Sequence, residues 1–294
     1  MKNEDYPRLF RDADLLAVET EKRHYWLVRS KIVLLIMSAV AASFILEQQS
    51  SYAMVATVGL SLVLLVSMGF TAYMRIQNHD QVWSNGRAVA ESVKAETWLY
   101  MARSGSYGGE TEHGKSEELF LTRLREILQK HSSLYAHLAS DLEEGVQVTD
   151  YMRQVRSKDI ETRATNYVNQ RVHDQRLWYM KKAKWNRDQG SLWFAIGWVL
   201  EMCAIGFSIV LTAQKNIIVN PVGIVGAAGA GVLSWIGYKT YNEASDSYGF
   251  IAQELLLNEE KAKHLSTQEG LDKIVADVEG AISREHTVWS GRLY

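Results

Sequence analysis

One cysteine and two prolines in 294 residues exclude much at the outset. Cys203 has no second cysteine for an internal disulfide, and a thiolate metal site needs several sulfurs. Pro7 and Pro221 are the only prolines, which suits a chain built from long helices. Strand signals are essentially absent. The formal net charge is −2, so there is no global excess of one sign that would draw nucleic acid. The eight histidines include no pair at metal-ligand spacing on one helix, and no metal is expected. No Ser-His-Asp set and no carboxylate pair argues for catalysis. The expectation is a protein that is not an enzyme and carries no cofactor.

What the chain has in abundance is apolar length. Long apolar runs at 32–46 and 53–74 stand back to back across residues 47–52, and runs at 192–213 and 217–238 repeat the arrangement across 214–216. About 20 apolar residues are enough for a helix to cross the hydrocarbon core. The gaps are so short that the partners must be antiparallel. The fold class expected is therefore an all-α membrane protein with four transmembrane helices in two hairpins. The mean hydropathy is slightly negative only because polar helical blocks dilute the spans.

The first run competes with a signal peptide, since Ala39-Val40-Ala41 imitates a cleavage site. The preceding stretch is unlike a short positive n-region, because it mixes Glu4, Asp5, Asp12, Asp14, Glu19 and Glu21 with its basic residues. A retained helix is expected, extended at its start by Trp26, Leu27 and Val28. Arg23, Arg29, Lys31, Arg75 and Arg87 flank the first pair on one side. Lys181, Lys182, Lys184, Arg187 and Lys239 flank the second pair, and only Lys215 lies in the short loops. By the positive-inside rule both termini and the middle segment are cytoplasmic.

Outside the spans, helices are expected over 81–101, 117–130, 241–264 and 268–289, with a Gly- and Ser-rich loop over 104–115. Val82, Val89, Val93 and Leu99 fall loosely on one side of the first of these. Leu271, Ile274, Val278, Ile282 and Trp289 mark a stripe on the last. From 149 to 187 there is no proline or glycine, which predicts one helix of roughly 60 Å feeding the third span as a stalk. The two halves echo each other: Tyr73 and Trp83 stand ten residues apart after the first hairpin, as Tyr238 and Tyr248 do after the second.

Two stretches carry a resemblance. Residues 171–186, which include Arg171, Trp178, Tyr179 and Asn186, precede two spans and then Ile282, Glu285, His286 and Trp289. This order resembles the SLATT family, two-span bacterial membrane domains of conflict and anti-phage systems. The first half is similar to another subgroup through Trp83, Asn85, Arg87, Glu91, Lys94, Trp98 and Tyr100. The chain thus resembles two SLATT-like units in tandem, 1–145 and 146–294. The resemblance implies an effector in the bacterial inner membrane that opens a pore or otherwise compromises it. It also implies control by a nucleotide signal from a partner nucleotidyltransferase, or by a short DNA oligonucleotide as in Hailong-type systems.

Several residues invite a sharper reading. Gly109-Glu-Thr-Glu-His-Gly114-Lys115-Ser116 satisfies the P-loop pattern, but a helix rather than a strand precedes it and its two glutamates would repel phosphate. A surface loop is the expectation. Glu201 lies near the centre of the third span, where a charge costs at least about 2.5–3.5 kcal/mol. It is the candidate pore or gate residue, weighed against a carboxyl hydrogen-bonded for packing. Gly223, Gly226, Gly229, Gly231 and Gly237 crowd the fourth span, and small residues there permit close helix packing. Asn220-Pro221 suits the start of that helix. Arg153, Arg156, Arg163 and Arg171 are the candidate ligand-binding cations, although interleaved acids favour a salt-bridged helix. The cluster from Lys181 to Arg187 reads as a lipid-headgroup anchor.

Four spans from one chain rarely enclose a conductive pore, so a homo-oligomer in the lipid bilayer is expected, with a tetramer as the guess. The function expected is an ion channel gated by a nucleotide or oligonucleotide. The rival is a non-conducting membrane scaffold or sensor that recruits cytoplasmic partners. A transporter is disfavoured, because both hairpins run in the same sense.

Overall fold

The computed structural model describes residues 1–45, 53–108, 113–138, 145–213, 221–263, 265 and 267–292. Among them every regular element is helical. Helix α1 (Arg8–Ile45) runs unbroken into the first span, and α2 (Ala53–Gln77) forms the second. Then come α3 (His79–Ala102), α4 (His113–Lys130), a short α5 (Tyr135–Leu138), α6 (Asp150–Arg156) and α7 (Ile160–Tyr167). A π-helical turn, Val168–His173, joins α7 to α8 (Asp174–Ala213), which carries the third span. Helix α9 (Pro221–Lys239) holds the described part of the fourth, and α10 (Tyr241–Ala262) and α11 (Gln268–Arg292) follow. Four helices are long and apolar enough to cross a membrane, and the chain is an all-α membrane protein. The interspan loops with Lys215, residue 46, residues 217–220 and the side chain of Trp289 lie outside the described residues.

The single helix expected over 149–187 is broken once, at residues 157–159. Ser157 closes α6, and Asp159 caps α7 by accepting from the Thr162 amide at 2.9 Å and its hydroxyl at 2.8 Å. Short polar side chains compete for backbone groups, so Ser-Lys-Asp stops a helix without any proline or glycine. The stalk is continuous from Ile160, through the π-helical turn, into the third span. The 104–115 loop is shorter than expected, since α4 begins at His113.

Each return helix ends on one left-handed residue, Asn78 at φ 44° and Thr240 at φ 45°, and the next helix starts at once. These positions are equivalent in the two halves. A β-branched residue such as Thr240 is rare in this conformation.

The chain divides into two compact units that cut across the boundary expected between 145 and 146. A polar unit comprises Met1–Glu21, His79–Ala183 and Asp246–Tyr294, and a spanning unit comprises Lys22–Asn78 and Lys184–Ser245. In the polar unit, α3 is the central helix and packs against α4, α6, α7 and α11. Val89, Val93, Trp98 and Met101 of α3 are buried with Phe120, Met152, Tyr167, Leu255, Leu271, Val275 and Val278. Both halves therefore share one core, because neither set of amphipathic helices can cover its own apolar stripe. Gly86 permits close approach to α1: a Cβ there would lie 3.3 Å from the Ala13 carbonyl oxygen.

In the spanning unit α1 touches both α2 and α9. Trp26 meets Phe70 with centroids 6.1 Å apart, and a Cβ on Gly231 would come 2.9 Å from Ile32 Cγ2. Near the polar ends, the Lys239 ammonium sits 3.2 Å from the Tyr25 ring centroid and Arg29 lies 5.1 Å from that of Trp235. The Trp235 indole donates to the Tyr241 hydroxyl. Such amphipathic rings with cations suit the membrane–water boundary. Helix α9 meets α8 through Trp193 against Trp235 and through Gly197, whose Cβ would rest 3.6 Å from Val232.

Candidate functional site

Glu201 stands on α8 with its side chain exposed on the surface of the single chain. At three- and four-residue steps it shares a face with Trp198 and Ile205, which are also exposed, as is neighbouring Met202. Among the described residues it has no hydrogen-bond or ion-pair partner. Gly197, one turn before Glu201, approaches Val232 of α9, so Glu201 stands beside the α8–α9 contact. The side chain is thus exposed at mid-span, amid apolar surface, one turn from the α8–α9 contact.

The glycines of α9 separate into two kinds. Gly231 meets Ile32 and Ile36 of α1, so it lies at a close approach of the two hairpins. Gly223, Gly226 and Gly229 have open space where a Cβ would stand, as does Gly237. Among the described residues these four make no close helix contact.

The four candidate arginines are not one patch. Arg153 is half-exposed and grips Glu117 with two parallel bonds of 2.8 and 3.0 Å, with Asp150 at 3.2 Å. Arg156 is buried and donates to the carbonyls of Tyr100 (2.6 Å) and Tyr107 and to the Ser116 hydroxyl (2.8 Å). Arg163 donates to the Ala102 carbonyl at 2.9 Å and to the Gln268 side chain. Arg156 and Arg163 thus gather at the last turn of α3, where unpaired carbonyls and the negative end of the helix dipole favour cations. Burial pulls the pKa of both below the ordinary guanidinium value. An outside anion would have to displace protein partners from all three of these side chains.

Arg171 occupies the π-helical turn and is only 1% exposed. It donates from Nε and Nη2 to the two oxygens of Glu279 at 2.9 and 2.6 Å, and the Tyr167 hydroxyl donates to the same carboxylate at 3.0 Å. Burial opposes the charge of Arg171, yet Glu279 holds it above the ordinary guanidinium range. Burial and then Glu279 push the Tyr167 phenol well up. The group is a buried two-bond ion pair with a neutral phenol as its third member.

Glu279 and Glu96 were not anticipated as part of any site. Glu279 stands beside Val278 on the buried side of α11, three residues before Ile282, and a carboxylate at such a position is the signal. Glu96 accepts from the Tyr107 hydroxyl at 2.8 Å, and burial raises its pKa. In the P-loop-like motif, 109–112 lie outside the described residues, Ser116 is taken by Arg156, and a 3₁₀ turn, Gly105–Tyr107, precedes it. The basic run Lys181, Lys182, Lys184 and Arg187 is exposed. Among the described residues no cluster could hold a metal ion.

Two family models match the chain end to end. Residues 7–164 match SMODS and SLOG-associating 2TM effector domain 3, and residues 167–289 match SMODS and SLOG-associating 2TM effector domain 1. The junction, residues 165–166, falls within α7. No curated protein and no solved structure matches.

Proposed function

Because the chain belongs to the SLATT family, as two tandem two-span effector domains, we propose that it is a homo-oligomeric ion channel of a bacterial conflict system. The observation that carries this reading is the exposed Glu201 side chain at mid-span. Left against lipid, the charge costs at least about 2.5–3.5 kcal/mol. A second copy of the chain relieves that cost if the α8 faces surround water. A ring of such carboxylates favours cations. The exposed residues Trp198, Met202 and Ile205 then lie between copies or against lipid. A tetramer is the assembly proposed.

In this reading the basic flanks place both termini and the polar unit in the cytoplasm of an inner-membrane protein. A nucleotide or short oligonucleotide made by a partner nucleotidyltransferase sets the open fraction by binding the polar unit. Support for this reading comes from α8, which is one helix from Asp174 to Ala213.

Planar-bilayer recording of the purified protein, with and without the product of a neighbouring nucleotidyltransferase, tests the proposal. Cation-selective currents that change with the product are expected, and Glu201→Gln should shift the reversal potential in a salt gradient toward zero. Silence under every condition, from protein of normal size and fold, would overturn the channel in favour of a non-conducting scaffold.

A further inference from the structure

A cavity of about 370 Å³ lies in the polar unit between α3, α4, α11 and the π-helical turn. Arg171 lines it. Two of its guanidinium nitrogens are bound to Glu279, but Nη1 has no hydrogen-bond partner among the described residues, although the residue is 1% exposed. A buried donor without an acceptor is costly, and a cationic one more so. The π-helical turn that presents it is itself a rare element, found most often at functional sites.

The remaining wall limits what can enter. Glu91 and Glu96 come from α3 and Glu279 from α11, so acceptors outnumber cations inside. Ser92 adds a hydroxyl that serves either way. A bare phosphate is repelled by three carboxylates. A flat neutral ring with an acceptor beside N–H donors is suited, because the acceptor meets Arg171 Nη1 and the donors meet carboxylates. Nucleobase edges have this alternation. Lys130, on the exposed last turn of α4, lies at the wall where an attached phosphate would find a cation.

We propose that this cavity is a nucleotide site, with the base seated against Arg171, Glu91 and Glu96 and the phosphate outside against Lys130. It takes its regulatory meaning from the gated-channel reading, but the binding itself is independent of conduction. Arg171 lines this cavity and keeps one buried nitrogen without a hydrogen-bond partner among the described residues.

The test is calorimetric titration of the full-length protein in lipid nanodiscs with AMP, GMP, CMP and UMP, against ribose 5-phosphate as the baseless control. At least one nucleotide should bind about tenfold or more tightly than ribose 5-phosphate. Ala95→Trp, which fills the cavity from α3, should abolish binding. Lys130→Glu, at an exposed position, should weaken every nucleotide about three- to tenfold, and less at high salt. Equal binding of nucleotides and ribose 5-phosphate would overturn the base-inward site. So would no binding to folded wild-type protein, or binding unaffected by both substitutions. Bilayer currents of the same preparation keep the two readings apart: a conducting protein that binds none of these probes retains the channel and loses the site.

Discussion

Arg171 and Glu279 form a two-bond ion pair, 2.9 and 2.6 Å, between the π-helical turn and α11, with side chains only 1% and 9% exposed. Removing one partner strands the other charge in a dry core. Glu279→Gln should cost about 3–5 kcal/mol in unfolding free energy. The double variant Arg171→Met/Glu279→Gln should be more stable than Glu279→Gln alone, because no uncompensated guanidinium remains and Gln still accepts from Tyr167. Denaturant unfolding followed by tryptophan fluorescence in detergent checks both. A double variant no better than the single would refute this account.

Arg156 and Arg153 lie three residues apart and should behave oppositely. Arg156→Lys cannot span two carbonyls and the Ser116 hydroxyl, so a loss of about 2–3 kcal/mol is expected. Arg153→Ala removes an exposed pair with Glu117 and should cost about 1 kcal/mol or less. Melting temperatures of the two variants, measured side by side, give the comparison.

The α9 glycines divide by neighbour. Gly231→Leu drives a side chain into Ile32 and should destabilise the spanning unit by about 1–3 kcal/mol. Gly226→Leu meets nothing within its own chain among the described residues and should leave the melting temperature unchanged. If copies pack through this face, the same variant shifts particle size in light scattering after gel filtration. Unaltered size would assign the open glycines to lipid.

Thr240 holds φ 45° against the preference of a β-branched side chain. Thr240→Gly should raise stability by up to about 1 kcal/mol, the left-handed strain outweighing the added freedom of the unfolded chain. Asn78→Gly should gain less, because asparagine tolerates this conformation better. Thermal unfolding of the two variants gives the ranking, and an Asn78 gain above that of Thr240 would contradict it.

Glu259 accepts from His173 Nδ1 at 2.9 Å and from Arg176 Nε at 2.6 Å. Burial works to raise its pKa, but these two partners outweigh it and hold it below the ordinary 4.5. The unfolded chain therefore takes up this proton first, so the stabilisation is complete above about 4.5 and is lost as pH falls through the lower folded value. Stability measured between neutral pH and pH 3 should fall less steeply for Glu259→Gln than for wild type. Parallel curves would remove Glu259 from the acid response.

The ends of the helices show where sequence reading succeeds and where it stops. α2, α9 and the span part of α8 follow directly from apolar length, and α10 and α11 from helical spacing bounded by polar residues. The break at Ser157–Asp159 was written in the chain as a capping pattern, but proline and glycine are louder signals and mask it. Glu201 was visible because a charge amid apolar residues is anomalous wherever the helix lies. The arginines were visible only as charges, and four on one stretch suggested one surface.

Sequence alone determined the class, the four spans, the tandem family and the mid-span carboxylate, because each depends on local composition and hydrophobic length. Only the tertiary structure decided that three of the arginines are consumed by Glu117 and by carbonyls near the end of α3. It alone decided that Arg171 meets a glutamate 108 residues away, lines a cavity and keeps one buried nitrogen without a partner among the described residues. It also decided that the two halves share one polar core. Partners so far apart in the chain are chosen by packing, when several half-apolar helices cover one another, and no local pattern encodes that choice.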